Sequence, residues 1–210
     1  MGSIFGRGDS VAPLNAGFRA RSAAMFDEAK VAQVAAYLVD RRGGRMSHLK
    51  LIKLLYLADR EALRRFEAPI TGDQYVAMPH GPVLSRTLDL MNGFTPSDPA
   101  GWAGWLSDVQ DHQVSLNRAV SRPVLDHLSD AEIAVLDDIF ARYGSMTRWA
   151  LRDLTHDPKQ IPEWIDPKGG SRPIHLGRIL EAVGKPPALA QAIRESLEAK
   201  RDLDDLFSRL

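Results

Sequence analysis

Residues 49–91 read LKLIKLLYLADREALRRFEAPITGDQYVAMPHGPVLSRTLDLM, and they join an almost wholly apolar helix to a rigid turn. Leu51, Leu54, Leu55, Ala58 and Ala62 repeat at helical spacing, and Ile52, Tyr56 and Leu63 widen the stripe. A helix with so broad an apolar face is buried around most of its circumference, so it should be the central pillar of the fold. A short polar break at 69–73 leads to a strand-like run at 74–78, followed at once by Pro79, His80, Gly81 and Pro82. Each proline fixes its own φ and pushes the residue before it toward extended geometry, while Gly81 permits angles that other residues adopt only at a cost. Pro82 suits the first position of a helix, which the pattern places over 83–91.

Outward from this stretch, Phe26, Ala29, Val31, Val34, Ala35 and Leu38 mark a first helix that Gly43 and Gly44 can end. Ser47 is placed to cap the central helix. Residues 92–111 are dense in turn formers and carry Trp102 and Trp105, whose spacing puts both on one side of a short helical turn. There they either cover the edge of the core or anchor a partner. The alternation in HQVSLN, 112–117, predicts a strand that pairs with 74–78.

Ser129-Asp130-Ala131-Glu132 is a capping box preceded by Leu128, which can staple onto Ile133, so a helix should run over 130–143 and stop at Gly144. A second helix is expected over 146–156, ended by Asp157-Pro158, and a short one over 175–183. After a Gly184-Lys185-Pro186-Pro187 hinge, Leu189, Ile193, Leu197, Leu203, Leu206 and Leu210 form the stripe of a C-terminal amphipathic helix. That stripe either packs back on its own domain or docks on a partner protein or a second copy of the chain, as in a homodimer. The expected organisation is a flexible leader at 1–24, one domain at 25–184 and a helical extension at 185–210. The fold class is mainly α, formally α+β: a compact helical domain around a buried central helix with a small antiparallel sheet.

The chain has 210 residues, 44% of them apolar, enough for one well-buried core. Lys plus Arg and Asp plus Glu each number 27, so a formal net charge of zero gives no global drive toward nucleic acid or anionic membrane. The absence of cysteine removes disulfides, zinc–thiolate sites and thiol nucleophiles together and fits a cytoplasmic location. No apolar run approaches the roughly 20 residues that span a bilayer. The six histidines show no HExxH pattern and no pair at i and i+4, and no phosphate-binding glycine loop or GxSxG elbow is present. Neither a metal nor a cofactor is therefore expected. Asp153, His156 and Asp157 fall close together, which leaves a small hydrolase or nucleotide-binding enzyme centred on Asp153, His156 and His80 as the rival reading, against a carboxylate–histidine pair at a helix end. Transcriptional autoregulation lacks a helix-turn-helix with a basic recognition helix. Lys50, Lys53, Arg60, Arg64 and Arg65 read as a basic edge along the central helix, a solvated rim or a landing strip for an acidic protein surface or RNA.

The order of KLLYLAD, an extended segment and then GPV resembles the SocA-like, or Panacea, antitoxin domain family of bacterial and phage proteins. Here the matching residues are Lys53-Leu54-Leu55-Tyr56 and Gly81-Pro82-Val83. The block LSDAEIAVLDDIFARYGSMTRWALRDLTH, 128–156, with Leu154-Thr155-His156 and the later Trp164, is similar to the family's second helical block. His80 departs from the family pattern, which has an aromatic or small polar residue before the glycine. The resemblance covers roughly 26–183. It implies a non-enzymatic antitoxin of a toxin–antitoxin system that binds a protein toxin encoded nearby, or an adaptor that delivers the toxin to an AAA+ protease. Under that reading the candidate partner-binding residues are Tyr56, Tyr75, Met78, His80, Gly81, Pro82, Val83, Trp102, Trp105, Trp149 and His156.

Overall fold

The computed structural model describes residues 26–207. In chain order the elements are α1 (Glu28–Arg41), β1 (Arg45–Ser47), α2 (His48–Phe66), β2 (Tyr75–Met78), β3 (Gly81–Leu84), α3 (Ser85–Met91), α4 (Trp102–Trp105), β4 (Gln113–Ser115), a 3-10 turn (Arg122–Val124), α5 (Asp130–Tyr143), α6 (Arg148–His156), β5 (Arg172–Pro173), α7 (Leu176–Ala182) and α8 (Pro187–Phe207). The chain is mainly helical with small antiparallel sheets, as its patterning predicts. Among the described residues no helix is long and apolar enough to cross a membrane.

α2 is the pillar. Every residue from Lys50 to Asp59 is buried, and around it pack α1, α3, α5, α6, α7, β1 and β3. Ser47 does occupy the N-cap, but its side chain makes no capping bond and its buried Oγ has no partner. α2 ends at Glu67, whose left-handed φ of 60° turns its N–H back to Leu63 O.

Charged residues that reach inward are spent on backbone. Asp59, fully buried in α2, accepts from Ile70 N, Thr71 N, Thr71 Oγ1 and the Tyr75 hydroxyl, pinning the 69–73 break against the helix. Asp73 accepts from Gln74 N, Arg86 N, Thr87 N and Thr87 Oγ1, so it caps α3 from across the preceding hairpin. Glu28, at the start of α1, accepts from Ser97 Oγ, Asp98 N and Trp102 N and holds the turn that carries both tryptophans.

The antiparallel sheet has the order β3-β2-β5, with Val76 opposite Val83 and Pro173. Two sequence expectations fail here for the same long-range reason. Residues 82–84 extend strand β3 and do not begin a helix, because pairing of Ala77 with Pro82 and Tyr75 with Leu84 outweighs the local preference for a proline-initiated helix. α3 therefore starts at Ser85. Strand β4 pairs with β1, not with 74–78, because both edges of β2 are already taken. Gly43 and Gly44, at φ of 90° and 85°, swing the chain out of α1 so that β1 meets β4, and Leu116 N bonds Gly44 O.

Other expectations are met. The Ser129 capping box is present in both directions, α5 runs over the expected residues, and Leu128 is buried with Ile133 half-buried against the same core. α6 begins two residues later than expected, with Thr147 as N-cap. α8 buries Ala190 and Ile193 and half-buries Leu197, whereas Leu189 and Leu203 are exposed, so among the described stripe residues Ile193 and Leu197 are the ones turned to the domain. The leader at 1–24 and Leu210 lie outside the described residues, as does the side chain of Leu206.

Candidate functional site

Pro79 and His80 form the tip of the β2–β3 hairpin, and both are exposed. Hairpin tips of this kind are commonly loose. This one is tied on three sides. Lys53 Nζ donates to Pro82 O at 2.7 Å, His156 Nε2 donates to Pro79 O at 2.9 Å, and Trp164 Nε1 donates to Met78 O at 3.2 Å. His156 and Trp164 also meet edge to face, with ring centroids 4.6 Å apart. The three donors come from α2, the last residue of α6 and the segment after it, so distant parts of the chain converge on one turn.

Packing at Gly81 leaves no room for a side chain. The residue's φ is +93°, and a Cβ there would lie 2.8 Å from Thr155 Oγ1 and 2.9 Å from Lys53 Nζ. Only glycine lets the backbone pass this close to the ammonium. Lys53 is 0% exposed and makes one hydrogen bond, and burial pushes its pKa down to about 7. Burial also lowers the His156 pKa, and the nearby charges of Lys53, Arg152 and His80 act in the same direction, against the Pro79 bond, which raises it.

The basic edge expected on α2 reaches the surface only at its arginines, each of them paired with a carboxylate. Lys50 and Lys53 are buried; Lys50 Nζ donates to Gly144 O and Met146 O, closing the end of α5. Arg60 pairs with Glu163, and Arg64 and Arg65 pair with Glu61. Glu163 Oε1 also accepts from the Tyr56 hydroxyl, which couples the segment before Trp164 to the pillar. Nothing in the local sequence separates a buried lysine from a rim lysine at these positions, except that Lys53 falls among leucines on both sides.

The sequence-predicted partner residues divide by depth. Tyr56, Tyr75, Val83, Trp102 and Trp105 are buried, as is the backbone of Gly81 and Pro82. Their side chains build the core and the turn and do not reach a partner docking on this surface. Tyr56 meets Tyr75 edge to face at 6.1 Å, and Trp102 and Trp105 pack α4 onto α1. Met78 and His156 are half-buried, whereas His80 and Trp149 are exposed. Trp149 is 51% exposed on α6, with the guanidinium carbons of Arg148 and Arg152 at 4.8 and 5.1 Å from its ring centroid.

The hydrolase arrangement is not assembled. The Asp153 carboxylate is held by Arg152 at 2.9 and 2.6 Å, and His156 Nε2 is committed to Pro79 O. Among the described residues no group of three or more His, Asp and Glu is placed to hold a metal ion.

In this mainly helical domain, motif residues scattered along the chain converge to brace one hairpin. A family model described as antitoxin SocA-like, Panacea domain, matches residues 51–165, which is more than half of the chain, and the protein belongs to that family. The matched span includes Lys53, the turn, Thr155, His156 and Trp164. No curated protein and no solved structure matches the chain.

Proposed function

We propose that this chain is the antitoxin of a toxin–antitoxin pair, acting in the cytoplasm by direct, non-catalytic binding of a protein toxin encoded beside it. The observation that supports the reading is the braced turn. The residues that carry the family pattern, Lys53, Gly81, Thr155, His156 and Trp164, are used to hold a hairpin tip in one geometry. A tip ordered before a partner arrives loses little entropy on docking. Met78, His80, Trp149 and His156 are the candidate residues that reach the surface near it.

Co-expression with the neighbouring open reading frame tests this reading. Growth rescue together with co-purification of the two proteins is the expected result. A harmless neighbouring product, or a toxic one that this chain neither rescues nor retains, overturns it.

A second reading, proteolytic adaptor action toward an AAA+ protease, draws on α8. Leu203 is 55% exposed on its far half, beyond the residues that hold the helix to the domain. Adaptor action through this segment, as opposed to the leader at 1–24, requires that removing 199–210 leave toxin binding intact while lengthening toxin lifetime in cells; unchanged lifetime excludes a role for this segment.

A further inference from the structure

A cavity of about 130 Å³ opens between the β2–β5 pair, the segment after α6 and the first turn of α7. Its inner lining is Ala77, Glu163 and Ile174, all buried, while Ile165, Arg172, Pro173, His175 and Arg178 are exposed at its mouth. Each wall is anchored. Ala77 pairs with Arg172 across the sheet, and Ile174 N donates to Tyr75 O at 2.8 Å. Glu163 is tied to α2, and Trp164 Nε1 donates to Met78 O, so the segment that carries Ile165 is held to the braced hairpin. On the third side Arg178 N donates to His175 O at 2.9 Å, closing the turn that bears both residues.

The lining is apolar within and cationic at the mouth. Among the described residues neither the Arg172 nor the Arg178 guanidinium has a hydrogen bond or an ion pair. Glu163 is the one carboxylate of the lining, and its charge is already met. Its side chain is 0% exposed, and its Oε1 accepts from Tyr56 Oη and Arg60 Nε, each at 2.7 Å. Asp166 and Glu181 are near in sequence, but neither pairs with these two arginines, and Asp166 accepts from Lys168 N. The volume limits the occupant further. At ~30 Å³ per water the cavity holds about four waters, far below the roughly 300 Å³ at which sites for larger ligands begin. One branched apolar group fills it.

Resting on the antitoxin reading above, we infer that this cavity receives the C-terminal residue of the toxin, an apolar residue whose side chain enters between Ala77, Ile165 and Ile174 while its free carboxylate meets Arg172 and Arg178. A chain terminus carries both features on one carbon, so the branch goes inward and the anion stays at the wet mouth, where it keeps most of its hydration. Guanidinium groups match the two oxygens of a carboxylate. An aspartate or glutamate side chain would instead drive its charge into the apolar recess. The residues before a terminus also have Ile165, 40% exposed, and Pro173 to cover, whereas a free acid of the same size leaves both in water. Anchored walls keep the ordering cost of capture low.

The test uses the full chain and the toxin encoded beside it, in its natural form and extended by one C-terminal glycine, which moves the carboxylate a residue away from the apolar branch. Both toxins are titrated against wild type, the double variant Arg172→Glu/Arg178→Glu, and a control Arg42→Glu/Arg45→Glu, which reverses two exposed arginines outside the cavity. Circular dichroism verifies folding, and the glycine extension, read on wild type, decides the matter if a variant does not fold. The extension should weaken binding about 30-fold. Reversal of Arg172 and Arg178 should weaken it about 100-fold. The two losses should not add, because both remove the same contact. The control should stay within about twofold of wild type. N-acetyl-leucine, as a free-acid probe, should compete only at millimolar concentration.

Full affinity for the glycine-extended toxin, or full affinity in the Arg172→Glu/Arg178→Glu variant, overturns the inference and leaves the antitoxin reading standing. A toxin that ends in a charged residue does the same. Fully additive losses overturn it as well, since the arginines would then meet another group, and so does equal loss in the control. Competition by N-acetyl-leucine at the concentration at which the toxin itself binds assigns the cavity to a small acid and overturns the polypeptide occupant. Failure of wild type to bind the natural toxin removes the antitoxin reading, and this inference with it.

Discussion

Lys53 is the residue at which burial and function meet most directly. An unfolded chain keeps a lysine protonated to about pH 10.4, whereas the folded protein releases this proton near about 7. Between those values the unfolded state binds more protons, so stability rises with pH through that window and is lowest below it. The expected gain from pH 6.5 to 9 is on the order of 3 kcal/mol, followed by urea unfolding. Lys53→Met removes the titration but also the bond to Pro82 O. Its stability relative to wild type should therefore be highest at acid pH and decline toward pH 9. Parallel pH curves for the two proteins would show that Lys53 does not titrate in this way. Gly81→Ala probes the same contact from the other side. A β-carbon must enter between Thr155 Oγ1 and Lys53 Nζ on a backbone with φ of +93°. The expected cost is about 2–4 kcal/mol, read as a lowered denaturation midpoint. A loss below about 0.5 kcal/mol would mean that the turn relaxes freely.

Helices that depend on their own residues were legible in the chain, and contacts that depend on its path were not. The Ser129 capping box and the apolar stripe of α2 declare α5 and the pillar, because each needs only neighbours within a few positions. The start of α3 was misread because its local cue, Pro82, is outweighed by pairing with β2. The partner of β4 was misread because the glycine turn that delivers β1 lies about seventy residues earlier. The site followed the same division. The motif positions were visible in order, but the donation from His156 to Pro79 spans 77 positions and has no local signature. The inward course of Lys50 and Lys53 was hidden for the same reason. Asp73 shows how much one distant contact carries at this scale. Its carboxylate serves the first turn of α3 in place of an N-cap side chain, accepting from Arg86 N at 3.0 Å and Thr87 N at 2.8 Å. Asp73→Ala should cost about 3 kcal/mol, because buried backbone donors lose their acceptor, and amide exchange at Arg86 and Thr87 should speed up most. Exchange that accelerates evenly over the whole domain would point to general destabilisation instead.

Across the molecule, α8 is held to the fold through residues of its first half. Ala190 and Ile193 are buried and Leu197 half-buried, and the helix rests against α7. The Lys185 ammonium adds a bond to Glu67 at the end of the pillar, so the helix is tied at its base. Leu203 stands in solvent. Removal of 199–210 takes away the exposed Leu203 and should change the melting temperature by less than about 2 °C. Removal of 186–210 uncovers the α7 side of the core by deleting Ala190, Ile193 and Leu197. At about 25 cal/mol per Å² of apolar area re-exposed, several kcal/mol are lost and the melting temperature should fall by about 10 °C or more. Scanning calorimetry of the two truncations separates the halves. If the shorter truncation destabilised as much as the longer one, the far half would be part of the domain's own packing. If it did not, and toxin binding also survived, then the conserved stability would leave 199–210 free for a partner other than the toxin, and measuring toxin lifetime with and without that segment would decide whether that partner is a protease.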